Sequence, residues 1–223
     1  AATDAMSPSE FHASDGVADW RVLLSKACTV FRTGDFNTGV ELVRAIGSLA
    51  DAADHHPDVD LRYATVSVRL SSHDVGGLSR RDVALAEQIS TAALALGVEA
   101  DPRAAQLIEI AIDVMEGSAV EPFWRAVLGL RAGDLDTETG AHDLSDALGA
   151  LPAVWFQQMD EPRVERNRIH LDVSVAHDEA ADRITRALAA GGVLVSDAEA
   201  PAFWVLRDAE GNEACISTWQ GRE

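Results

Sequence analysis

The sequence predicts an α+β protein of two domains, and three observations carry that prediction. Amphipathic helical stretches alternate with short strand-like stretches through the first half. A break falls at GVEADPR, residues 97–103, where a glycine, a proline and three charges follow a long helical pattern. The second half repeats itself: IEIAIDVMEGSAVEPFWRAVLG (108–129) aligns with IHLDVSVAHDEAADRITRALAAG (169–191) at an offset of 61, so Glu109 falls on His170 and Arg125 on Arg186. The expected division is a first domain over 1–98, its first ten residues flexible, a linker over 99–103, and a second domain over 104–223.

In chain order, Ser7 and Pro8 open a short helix over 7–13, and residues 20–24 and 27–32 read as strands. Asp35 is the expected N-cap of a helix over 36–52, in which Phe36, Val40, Val43, Ile46 and Leu49 recur at spacings of four and three. RYATVSVRL (62–70) is a strand with Ala64, Val66, Val68 and Leu70 on its buried face. Ser79 starts a helix over 80–96 that turns Val83, Ala86, Ile89, Ala93 and Leu96 inward. This order suggests helices on one face of a small antiparallel sheet. Each copy in the second half is an apolar strand, an acidic turn and an amphipathic helix. Further strand-like segments follow: LPAVWFQQM in the first copy, GVLV, AFWVL and EACIST in the second. The Asp-, Thr-, Gly- and Ala-rich stretch 131–147 reads as a loop.

Eighteen Lys and Arg stand against 37 Asp and Glu, a net charge of −19. A chain of that sign repels phosphate backbones and anionic bilayers, so nucleic acid and membrane are not expected partners. No apolar run approaches the roughly 20 residues needed to span a bilayer, and AATDAMSPSEF has neither the basic start nor the apolar stretch of an export signal. Only two cysteines, Cys28 and Cys215, occur far apart, which fits a reducing cytoplasm.

The chemistry concentrates in DHHPDVDLRYATVSVRLSSHDVGGLSRRD, residues 54–82. Pro57 disfavours helical geometry at His56, so the His55–His56 pair ends a helix and enters a loop. His73 follows the end of a strand, and Asp74 with Gly76 and Gly77 turns the chain toward the helix that holds Asp82. One helix end, one strand end and one helix start thus have reason to converge. Imidazoles titrate near neutrality and suit a reaction that needs one proton given and another taken. On the residues alone a metal site and solvated loop histidines stay open as alternatives. Ser79-Arg80-Arg81-Asp82 is also a capping box, a structural role for Asp82 that can coexist with a chemical one.

This stretch resembles the pterin-4a-carbinolamine dehydratases. The resemblance covers about 17–98 and rests on the HHP motif, Tyr63, the block SHDVGGLS at 72–79 and Asp82. It implies helices packed on a four-stranded antiparallel sheet, assembly into a dimer or tetramer through that sheet, and no metal or organic cofactor. It also implies a pterin pocket in which His55, His56, His73 and Asp82 are catalytic, His55 and His73 as the acid–base pair. Pro57, Tyr63, Ser72 and Asp74 would contact substrate. Val59 and Asp60 stand where animal members carry aromatic residues.

Residues 104–223 resemble glyoxalase-like domains of the vicinal-oxygen-chelate superfamily through PFWRAVLG (122–129), VWFQ (154–157), RIHLDV (168–173) and FWVLRDAEGNEAC (203–215). That resemblance implies paired βαβββ modules forming a cup. It also implies a divalent metal on Glu109, Gln157 and His170, with Cys215 standing where a glutamate is usual. Fusion of two such halves motivates an alternative to catalysis: a pterin- or small-molecule-binding regulatory protein whose second half is a ligand-binding module.

Overall fold

The computed structural model describes residues 4–163, 165, 169–218, 220 and 221. The chain divides into two compact units, Ala1–Leu107 and Ile108–Glu223.

In the first unit, β1 (Ala5–Met6) and α1 (Pro8–His12) precede β2 (Arg21–Leu23), β3 (Lys26–Arg32), α2 (Phe36–Ala53), β4 (Asp58–Arg62) and β5 (Thr65–Leu70). A one-turn 3₁₀ helix (His73–Val75), β6 (Leu78–Ser79), α3 (Arg80–Ala95) and β7 (Glu99–Ala100) complete it. The main sheet is antiparallel in the order β2-β3-β5-β4, with β7 also pairing β3. Alternation decides its faces. Val66, Val68 and Leu70 of β5 are buried with Phe31 of β3 against Leu42 and Ile46 of α2 and Leu85 and Ile89 of α3. Opposite them Lys26, Asp58, Asp60, Arg62, Ser67 and Arg69 make a polar outer face, with Lys26 paired to Asp58 and Arg62 to Asp60.

Four details differ from expectation. The strand expected over 62–70 begins at Thr65, because Arg62 closes β4 and the chain turns at Tyr63 and Ala64. DVDLR at 58–62 is itself a strand. Residues 5–12 are anchored, since β1 pairs with β6 and Phe11 is fully buried. Finally, Glu99 and Ala100, expected in a linker, pair with Arg32 and Phe31 as a fifth strand.

The second unit is two copies of one plan. β8 (Glu109–Val114), α4 (Gly117–Leu128), β9 (Arg131–Leu135), β10 (His142–Ser145) and β11 (Ala153–Gln158) form the first. β12 (Leu171–Ser174), α5 (Ala180–Ala189), β13 (Val193–Ser196), β14 (Phe203–Arg207) and β15 (Glu213–Ser217) form the second. Each makes a four-stranded sheet in which the first strand runs parallel to the last. The expected loop at 131–147 is a pair of antiparallel strands, β9 and β10. Every residue of β9 is exposed, so no apolar alternation marked it. A shared core holds Phe123, Trp124 and Val127 of α4 with Phe156, Ala187 and Ile216. The buried Asp208 accepts from Trp124 Nε1 at 2.9 Å and ties the modules together.

Candidate active site

The site in the first unit is built by three chain reversals at one end of its sheet. The first ends α2. Asp54 takes the left-handed conformation (φ 47°, ψ 41°), and the His55 N–H donates back to Ala50 O at 3.1 Å. The helix therefore stops one residue before the histidine pair, and Pro57 leads into β4. The second reversal follows β5. Because Asp58 pairs with Arg69, the residues before β4 lie beside those after β5, which brings His55, His56 and Pro57 next to the 71–74 segment. The third is a loop closed by Ser72 N–H donating to Gly77 O at 2.7 Å and Gly77 N–H donating to Ser72 O at 3.3 Å. Gly76 at φ 64° permits that turn, which exposes His73 and delivers Ser79 to cap α3.

Asp82 joins the three reversals. It is fully buried in the first turn of α3. One carboxylate oxygen, Oδ2, accepts from the Ser79 N–H at 2.7 Å and the Ser72 hydroxyl at 2.8 Å. The other, Oδ1, lies 2.8 Å from His55 Nε2. The Ser72 and Ser79 hydroxyls are themselves 2.7 Å apart. A carboxylate already accepting two donors leaves its free oxygen to accept a third, so Nε2 carries the hydrogen in this bond. The ring of His55, 7% exposed, is thereby fixed in orientation and tautomer. Its Nδ1 has no protein partner among the described residues, and this is the nitrogen able to accept a proton from a bound molecule or return one.

The other expected residues divide. His73 is exposed, one residue beyond the Ser72 hydroxyl that binds Asp82, and has no side-chain partner among the described residues. His56 is exposed, with Nε2 3.0 Å from Asp51 Oδ1, and Pro57 is half-buried beside it. Asp74 pairs with Arg81, whose guanidinium holds the Asp74 carboxyl below the usual carboxylate range. Two expected substrate contacts are not placed as such. Ser72 is buried and its hydroxyl is spent on Asp82 and Ser79. Tyr63 is 74% exposed at the turn joining β4 and β5, the opposite end of β4 from the histidine pair. Five strand residues separate them, roughly 16 Å of extended chain. The role of Ser72 in holding Asp82 was not expected; the serine–histidine pair after a strand was the signal for it.

The metal set expected in the second unit does not fit. In the parallel β8–β11 pair Glu109 faces Ala153, whereas Gln157 faces Asp113. Glu109 and Gln157 are thus four rungs apart along the sheet, about 13 Å, and cannot share one ion. Asp172, which sequence reasoning passed over, lies instead beside His170 and Cys215. The i, i+2 spacing of His170 and Asp172 on a strand was the available signal.

Residues 4–92 match the family model described as pterin 4 alpha carbinolamine dehydratase, and residues 109–217 match a glyoxalase-like domain model. A protein of Chloroflexus aurantiacus named "Putative pterin-4-alpha-carbinolamine dehydratase" is 41% identical over 71 residues, which cover 32% of this chain and 76% of the relative. A namesake from Mycobacteroides abscessus is 48% identical over 56 residues, 25% of this chain and 60% of that protein. Among solved structures, a transcriptional coactivator/pterin dehydratase from Brucella melitensis is 25% identical, covering 40% of this chain and 99% of its own, with a TM-score of 0.37. A glyoxalase/bleomycin resistance protein/dioxygenase family enzyme from Burkholderia phytofirmans is 18% identical, covering 51% of this chain and 98% of its own, with a TM-score of 0.40.

The first unit is therefore an α+β domain with helices on one face of an antiparallel sheet and a buried histidine–carboxylate pair at the sheet's end. The chain belongs to the pterin-4a-carbinolamine dehydratase family and carries a glyoxalase-like domain after the dehydratase domain.

Proposed function

We propose that the first unit dehydrates 4a-hydroxytetrahydropterin to quinonoid dihydropterin and water, with His55 and His73 as the acid–base pair. The observation that carries this reading is the buried 2.8 Å contact between His55 Nε2 and Asp82, which leaves Nδ1 as the exchanging nitrogen. In the reaction the C4a–oxygen bond breaks. One imidazolium gives its proton to the departing hydroxyl, which leaves as water. The second imidazole takes the proton released from the adjacent ring nitrogen as the carbon–nitrogen double bond forms. Protons and electrons balance within the substrate and two imidazoles, so no cofactor takes part. In this reading His56 and Pro57, on the loop beside His55, hold the flat ring, and the reading carries with it a homo-oligomer formed through the sheet and a cytoplasmic setting.

Absorbance can follow the dehydration when the carbinolamine is generated in place by a hydroxylase. Replacing either His55 or His73 by alanine is expected to slow the catalysed step by about 10²–10⁴-fold. A His55→Ala enzyme running at the parent rate would overturn the assignment. Tight pterin binding with no acceleration by the parent protein would favour the regulatory reading that the fusion motivates.

A further inference from the structure

We infer that the second module of the glyoxalase-like unit holds a borderline-soft divalent ion of the zinc class on His170, Asp172 and Cys215. A hard oxygen-ligated ion on the superfamily's set is not what these strands offer.

The strand register carries the argument. In the parallel β12–β15 pair Asp172 lies directly opposite Cys215. Leu171 and Val173 pack into the core, so Asp172 points to the other face of the sheet, and His170, two residues earlier, shares that face. The ligand atoms of His170, Asp172 and Cys215 all lie within 4.8 Å of one another. His170 Nε2 and Asp172 Oδ1 are 3.5 Å apart. Two ligands about 2.1 Å from a tetrahedral ion stand about 3.4 Å apart, so this edge already has the separation that zinc requires. Cys215 is 6% exposed at the base, while the histidine and carboxylate are open to solvent above it.

The donor set selects the metal. One thiolate, one imidazole and one carboxylate suit zinc, and a thiolate disfavours magnesium, calcium and manganese. Three protein ligands leave a fourth position for water or a small ligand. His170 borders a cleft of about 840 Å³ and Asp172 a separate one of about 430 Å³, so each of the two exposed ligands has open space next to it.

The test uses the full chain, stripped with a chelator and titrated with zinc against a chromophoric competitor. Cobalt then serves as a spectroscopic reporter. About one equivalent of either ion per chain is expected, the cobalt form showing a thiolate-to-metal charge-transfer band. Cys215→Ser should abolish that band and weaken zinc binding by at least about tenfold. His170→Gln and Asp172→Asn should weaken zinc while keeping the band at saturating cobalt, and Cys28→Ser should change neither. Failure to bind a stoichiometric ion overturns the proposal. So does a cobalt form without the thiolate band, or zinc affinity unaltered in Cys215→Ser with far-ultraviolet dichroism unchanged.

Discussion

Asp82 shows how one side chain serves packing and chemistry together. It caps α3, receives the Ser72 hydroxyl and orients His55, all without solvent contact. Removing a donor to such a group costs more than the hydrogen bond itself gains, because the burial persists. Ser72→Ala is expected to lower stability by about 1–2 kcal/mol in urea unfolding. The same variant should reduce kcat with KM nearly unchanged, since its hydroxyl faces Asp82 and Ser79 and not the substrate; a raised KM with kcat intact would contradict this. Asp35 gives a pH-dependent counterpart at the other end of α2. The Thr38 N–H and hydroxyl both donate to its carboxylate and hold that carboxyl below its ordinary range. A depressed folded value means stability that is present above the unfolded carboxylate range and lost as pH falls through the folded value. Asp35→Ala should therefore lower the urea midpoint at neutral pH, and the gap to the parent should close in acid.

At the scale of elements, strands that do no burying are the ones hidden from sequence reading. β9 is exposed along its length, and β4 alternates acidic residues with Val59 and Leu61 on a sheet edge, so composition read one as a loop and missed the other. Helix ends were easier, because caps are local. The exception is Asp54, a non-glycine residue held in left-handed backbone to end α2 before His55. Asp54→Gly should relieve that conformation and raise thermal stability, whereas Asp54→Val should lower both stability and dehydration rate by misplacing His55. Between α5 and β13, Gly192 has its backbone against a ring. A Cβ there would stand 2.5 Å from Phe123 Cδ2 and 2.8 Å from Ala187 O. Gly192→Ala should cost about 1–3 kcal/mol in the second unit's unfolding and leave pterin dehydration untouched.

Across the whole molecule two separate cores stand in one chain, one from Phe11 to Val98, the other from Val114 to Ile216. Separate cores predict separate unfolding. A fragment ending at Leu107 should fold by circular dichroism and keep the parent's dehydration rate, whereas one ending at Val98 should be weaker because it loses β7 from β3. A single transition lost entirely on truncation would refute that independence.

The α+β class, the duplicated second half, both main helices of the first unit and the histidine-rich stretch were legible in residue order, because periodicity, capping and repetition are local properties of a chain. Tertiary structure alone decided which partner each polar group takes. Ser72 proved to be a prop for Asp82, Tyr63 fell at the far end of a hairpin, and Glu109 and Gln157 were parted by register while Asp172 came beside Cys215. Register and burial are relations between distant segments, set by how whole faces pack, and no window of sequence contains them.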